Sequence, residues 1–169
     1  MLDATTRIKY MQALGCNSVL EFQKKYMLNF DGKQWDGKYG SKTDMALQNE
    51  YMIKDVKWLS HNEIICHCGG KYCTGHPTYL SYDLVNKLAK VRAKYGAITF
   101  TCMMRCPTHN TKVGGVSGSR HKTGKACDMK TAQSKANRQE LIKYWLSIGG
   151  RYGYSDKNAM GTSTHLDVL

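Results

Sequence analysis

Acidic residues are scarce in this chain: 13 Asp+Glu stand against 25 Lys+Arg, a net charge of +12 over 169 residues with histidine neutral. That shortage leaves a basic surface, one drawn to polyanions such as anionic wall polymers or nucleic acid. Only 7 basic residues lie in positions 1–52, beside 6 acidic ones, so the excess belongs to the remainder of the chain. No segment approaches the roughly 18 apolar residues of a membrane span, which excludes a transmembrane helix. The opening Met1-Leu2-Asp3-Ala4-Thr5-Thr6 has neither the basic stretch nor the apolar core of an export signal. The expectation is a protein made soluble and kept in the cytoplasm of the producing cell until release. Proline occurs only twice, and residues 53–60 hold neither proline nor a Gly-Ser run, which excludes a long tether there. At 41% hydrophobic, the chain is not of a disordered composition.

Cysteine is plentiful, but its usual metal pattern is missing. The seven cysteines are odd in number, so one at least stays unpaired within the chain, which favours a reducing compartment. From His61 through His76 there are three cysteines and three histidines, yet Cys66-x-Cys68 is tighter than a zinc-ribbon knuckle and no second pair follows at the required distance. The segment reads as a structural loop with buried thiols, a second metal site at Cys66, Cys68 and Cys73 being the alternative. Cys16, Cys102, Cys106 and Cys127 are expected to pack as small hydrophobes. A thiol-nucleophile enzyme has only the abundance of Cys and His behind it.

Residues 1–52 read as three short helices. Asp3 can cap the first, with Ile8, Met11 and Leu14 inward; Ser18 caps the second, with Leu20, Phe22, Tyr26 and Met27 inward. After a loop over residues 29–40, the third carries Met45, Leu47 and Tyr51. Residues 53–60 are a short linker, and 61–169 form a second domain. There, residues 81–95 make an amphipathic helix with Leu84, Val85, Leu88 and Val91 on one side and Lys87, Lys90 and Lys94 on the other. Residues 97–104 follow as a buried strand delivering Arg105. Ser134 caps a helix to about residue 148, with Leu141, Ile142, Trp145 and Leu146 inward, and Gly149-Gly150 stops it. Strands over 152–155 and 163–168 complete an α+β fold, a small mainly antiparallel sheet with helices packed on it.

The chemistry is concentrated in two fragments. His121 precedes a turn at Gly124, and Ala126-Cys127-Asp128-Met129 then alternates as a half-buried strand does. Thr164-His165-Leu166-Asp167-Val168 alternates in the same sense, with His165 and Asp167 on one face. Set side by side, His121, Asp128 and His165 make two imidazoles and a carboxylate. That is a three-ligand zinc set with a position left for water, the arrangement of catalytic zinc.

The pattern Ser119-x-His121-x-x-Gly124-x-Ala126-x-Asp128, followed by His165-x-Asp167, resembles the zinc D-Ala-D-Ala carboxypeptidase and L-alanyl-D-glutamate endopeptidase family of cell-wall peptidases. The likeness extends upstream through Thr101-Cys102-Met103-Met104-Arg105-Cys106-Pro107, His109-Asn110 and Val113-Gly114-Gly115, covering roughly residues 60–169. It implies Zn2+ on His121, Asp128 and His165, and Arg105 gripping a substrate carboxylate or a developing oxyanion. Ser119 would position the loop or the substrate; His109 and Asn110 are left without a role. Many members carry an acidic residue three positions before the last histidine. Thr162 stands there in this chain, as in the branch ending His-x-Asp. Asp167 is therefore the candidate base, or else orients His165 from behind.

Residues 36–43, Asp36-Gly37-Lys38-Tyr39-Gly40-Ser41-Lys42-Thr43, preceded by Val19-Leu20-Glu21-Phe22-Gln23, look like the three-helix peptidoglycan-binding module of wall hydrolases. The expected partners are bacterial peptidoglycan and anionic wall polymers, met by a monomer. A phage endolysin fits best, with a host autolysin or an inactive wall-binding protein as alternatives. A basic zinc-containing nucleic-acid binder is disfavoured, since no aromatic-interleaved basic motif of a known module appears. Which wall bond is cut, D-Ala-D-Ala, L-Ala-D-Glu or a cross-bridge amide, is left open.

Overall fold

Side-chain caps open the first helices as the sequence leads one to expect. In a computed structural model, which describes residues 1–130, 135–155 and 160–169, Asp3 accepts from the Thr6 amide at 2.9 Å to start α1, Ala4–Ala13. Ser18 accepts from the Glu21 amide at 3.1 Å to start α2, Val19–Tyr26. The third helix, α3, spans Ser41–Val56, continuing past residue 52 through half of the expected linker. It continues because Met52 and Ile53 are buried in the core of the second part, so breaking the helix earlier would expose both. A turn at Ser60 and Glu63, each bonding the other's backbone, opens the one-turn α4, His61–Ile64.

Two apolar clusters result. Met11, Leu14, Cys16, Phe22, Met27, Ala46 and Leu47 fill the space between α1, α2 and α3. Ile8 and Leu20, expected inward, are largely exposed. The Tyr10 and Tyr51 rings stack at 3.6 Å, which turns α1 so that Tyr10, Met11 and Leu14, and not Ile8, meet α3. Polar groups join this part to the rest. Buried Asn49 donates to the Thr78 carbonyl at 3.1 Å and accepts from the Leu80 amide at 2.9 Å, and Tyr79 donates to Asp44 at 2.9 Å. Buried Glu50 lies between His61 and His76, its Oε1 3.1 Å from His76 Nε2.

The second part is a four-stranded antiparallel sheet with helices on one face. Helix α5, Tyr82–Tyr95, is capped by Ser81, and its Leu84, Val85, Leu88 and Val91 are all buried. Strand β1 is Thr99–Cys102, shorter than the expected 97–104; α6 is Pro107–Lys112. Then come β2, Ala126–Lys130; α7, Lys135–Ser147; β3, Tyr152–Tyr154; and β4, Ser163–Asp167. The sheet order is β1-β2-β4-β3. The expected cap at Ser134 lies outside the described residues. Leu141 and Trp145 of α7 are fully buried; Leu146, the next position round the helix, is exposed. Phe100, Cys127, Met129 and Leu166 point from the sheet into the core shared with α5 and α7. The alternating residues Asp128 and His165 therefore lie on the opposite face. Among the described residues no helix is long and apolar enough to cross a membrane.

Candidate metal centre

Asp128 and His165 are brought together by strand register. They sit directly opposite one another in the β2–β4 ladder, and His165 Nδ1 is 2.9 Å from Asp128 Oδ1. Cross-strand partners have Cβ atoms only about 5 Å apart, so this closeness follows from pairing alone. His121 arrives from the short 3-10 turn Arg120–Thr123, its Nε2 lying 3.2 Å from Asp128 Oδ1 and 3.2 Å from His165 Nδ1. Three donor atoms thus converge on one point. Ligand distances to zinc of about 2.1 Å would set tetrahedral neighbours about 3.4 Å apart, close to what these atoms already show.

The far side of each imidazole is tied down. His121 Nδ1 lies 3.0 Å from the Met103 carbonyl, so the proton sits there and the Nε2 lone pair faces the cluster. The register of β1 against β2 shifts between Phe100 and Cys102, just before Met103. His165 Nε2 is 3.5 Å from Asp167 Oδ2, which leaves Nδ1 facing inward. Burial, the largest influence on Asp128, pushes its carboxyl upward, but the bonds and charges of His121 and His165 outweigh it and hold the group well below the usual range. The donor set and the fixed tautomers fit zinc. Cys102 also lies near His121 and Asp128, but its Sγ contacts His121 on the Nδ1 side, at 3.6 Å, away from the converging lone pairs. Burial pushes that thiol up to about 11.

Gly124 sets the turn. Its φ of 66° is left-handed, and a Cβ there would stand 2.0 Å from the Tyr79 carbonyl oxygen. Gly124→Ala is expected to cost about 1–3 kcal/mol of stability, seen as a lower denaturant midpoint with unchanged slope; an unshifted midpoint would contradict the close approach.

Arg105 lies at the edge of the cluster. Its Nη2 is 3.3 Å from Asp128 Oδ2, its Nη1 3.4 Å from Asn110 Oδ1, and its buried Nε has no partner among the described residues. Asn110, without a sequence-based role, is locked by donating to the Gly115 and Val116 carbonyls at 3.1 and 3.0 Å. Ser119 opens the 3-10 turn without a side-chain capping bond. Asp167 is buried and receives Arg151 Nε at 2.9 Å and Nη2 at 2.6 Å. Arg151 and Tyr152, whose ring is 6.3 Å from that of His165, escaped sequence reasoning because only β3–β4 pairing brings them here. Thr162 is exposed.

The profile of the Peptidase M15 family matches residues 57–167, two thirds of the chain and all three converging donors. The chain belongs to the Peptidase M15 family. At family level this makes it a zinc-dependent metallopeptidase of peptidoglycan. No curated protein and no solved structure matches the chain significantly. The helices α1, α2 and α3 all lie outside the Peptidase M15 match.

Proposed function

We propose that the protein is an endolysin-type M15 peptidase, hydrolysing amide bonds in the peptides of bacterial peptidoglycan with zinc held by His121 Nε2, Asp128 Oδ1 and His165 Nδ1. The observation that carries this reading is the convergence of those three atoms within 3.2 Å of one another, each imidazole fixed from behind. Zinc, when bound, supplies acidification of a water and polarisation of the scissile carbonyl. The chain's own residues do the rest. Met103 and Asp167 hold the imidazoles in the tautomers that present free lone pairs. Arg105, braced by Asn110, offers its remaining N–H groups to a substrate carboxylate or to the oxyanion as it develops.

Asp167 is the positioning residue of the set. Both its oxygens are engaged by Arg151, so it is placed to orient His165 and not to move protons at the substrate. Asp167→Asn is expected to weaken zinc binding by about 10–100-fold, read by competition with a chromophoric chelator. Wild-type affinity in a folded variant would remove this role.

The N-terminal helices supply wall binding in this reading. A groove of about 390 Å3 there is lined by Phe30, Trp35, Lys33, Lys38 and Lys42, aromatic and cationic together. The basic excess beyond residue 52 adds attraction to anionic wall polymers. The protein accumulates in the producing cell's cytoplasm and acts once it reaches the wall. The deciding experiment is release of new amino groups from purified peptidoglycan, with mass spectrometry of the fragments, for protein as made, chelator-stripped and zinc-restored. Zinc-dependent release names the bond. No release from several wall types by a folded, zinc-loaded protein would favour a wall-binding protein without activity, the reading suggested by Thr162.

A further inference from the structure

Away from the histidine cluster, the Sγ atoms of Cys66, Cys68, Cys73 and Cys106 all lie within 4.8 Å of one another. Three come from the irregular segment between α4 and α5, and the fourth from the residue that opens α6. All four are free thiols, Cys66 and Cys106 buried and the other two half-buried. Cys68 Sγ and Cys73 Sγ are 3.5 Å apart. Zinc–sulfur bonds of about 2.3 Å would place tetrahedral sulfurs about 3.8 Å apart, so the cluster is already close to that size.

We propose that Cys66, Cys68, Cys73 and Cys106 form a closed, structural zinc site, separate from the histidine–aspartate centre and bracing it. Four sulfur donors leave no position for water, which makes the role structural, and an all-thiolate set selects a soft ion over magnesium or calcium. Backbone donors already face the sulfurs. The Cys106 amide lies 3.3 Å from Cys66 Sγ, and the His109 amide 3.4 Å from Cys106 Sγ; His109 Nδ1 is 3.3 Å from Cys66 Sγ. Loading releases the four thiol protons to solvent and leaves a dianionic centre, which the chain's charge of +12 offsets.

The fold has a use for such a clamp. Residues 65–81 contain no helix or strand, a length at which an unbraced loop in a compact domain is uncommon. Apart from Cys66, their buried apolar side chains are Ile65 and Leu80. Cys106 follows Arg105 directly, and Met103, whose carbonyl fixes His121, lies three residues earlier. A metal joining Cys106 to the loop therefore pins the strand exit that serves both. The tight Cys66-x-Cys68 spacing is no obstacle, because the set is completed from a distant segment in place of a second knuckle.

The inference does not depend on peptidase activity. The test uses full-length protein loaded with cobalt(II) in place of zinc, which gives intense thiolate-to-metal charge-transfer absorption only where cysteine sulfur binds. Wild type and His165→Ala are expected to show the same absorption, while Cys68→Ser/Cys73→Ser loses it. Should the double variant fail to fold, the unaltered protein decides. Modification of thiols in the zinc-loaded protein, located by peptide mass spectrometry, is expected to spare these four cysteines until a chelator is added. Cobalt bound without charge-transfer absorption, equal reactivity of the four thiols with and without metal, or a Cys68–Cys73 disulfide in the native protein would each overturn the site.

Discussion

His165→Ala is expected to bring amino-group release from peptidoglycan down by at least about 10³-fold, since the metal's share of transition-state stabilisation is several kcal/mol. The substitution removes one of three converging donors and leaves a two-ligand remnant of His121 and Asp128, too few to hold zinc against a competing chelator. Leu166 and Thr164 on either side keep their burial, so the sheet and the far-ultraviolet circular dichroism should stay as they are. Zinc at the histidine centre and activity should therefore fall together while the fold persists. A variant with wild-type rate and unchanged metal content would mean that the donors lie elsewhere, with Cys102 the next group to examine.

Arg105→Ala should leave zinc in place and lower kcat by about 10²–10³-fold, the cost of losing one donor to a developing oxyanion. The guanidinium is positioned twice, by Asp128 Oδ2 and by Asn110 Oδ1, so its direction is fixed before substrate arrives. Arg105→Lys should recover little, because a lysine has no planar fork with which to hold both Asp128 and a second oxygen. If instead KM rises and kcat holds, Arg105 grips a carboxylate equally in ground and transition states. Unaltered kcat and KM would remove it from the site.

The sheet half of the fold was legible because alternation and caps are local signals. Ala126 to Met129 and Thr164 to Val168 alternate cleanly, and Ser18 and Ser81 open helices where such residues do. What could not be read was set by partners distant in sequence. Ile8 has the right spacing for a buried face, yet the Tyr10–Tyr51 stack rotates it outward. Cys106 has the composition of a core thiol, and only the docking of the 65–81 loop turns its sulfur toward three others. Arg151 follows a Gly-Gly helix stop and carries no local mark; its pairing with Asp167 arises from β3 lying beside β4. The register shift in β1 likewise depends on pairing with β2. In the candidate site, the three side chains that converge were visible as residue types at a spacing, and the groups that orient them were not.

The sheet order has a consequence for synthesis. Strand β4 follows β3 along the chain but lies between β2 and β3, and it carries one of the three donors. A nascent chain that has emerged only through residue 162 presents β2 and β3 with unpaired edges and has two of the three converging side chains. On the proposed reading, capture of zinc there waits until β4 has threaded into its slot. A chain in which β4 has not yet taken its place would lack one of the three converging side chains, and metal occupancy would mark the chains whose sheet has closed.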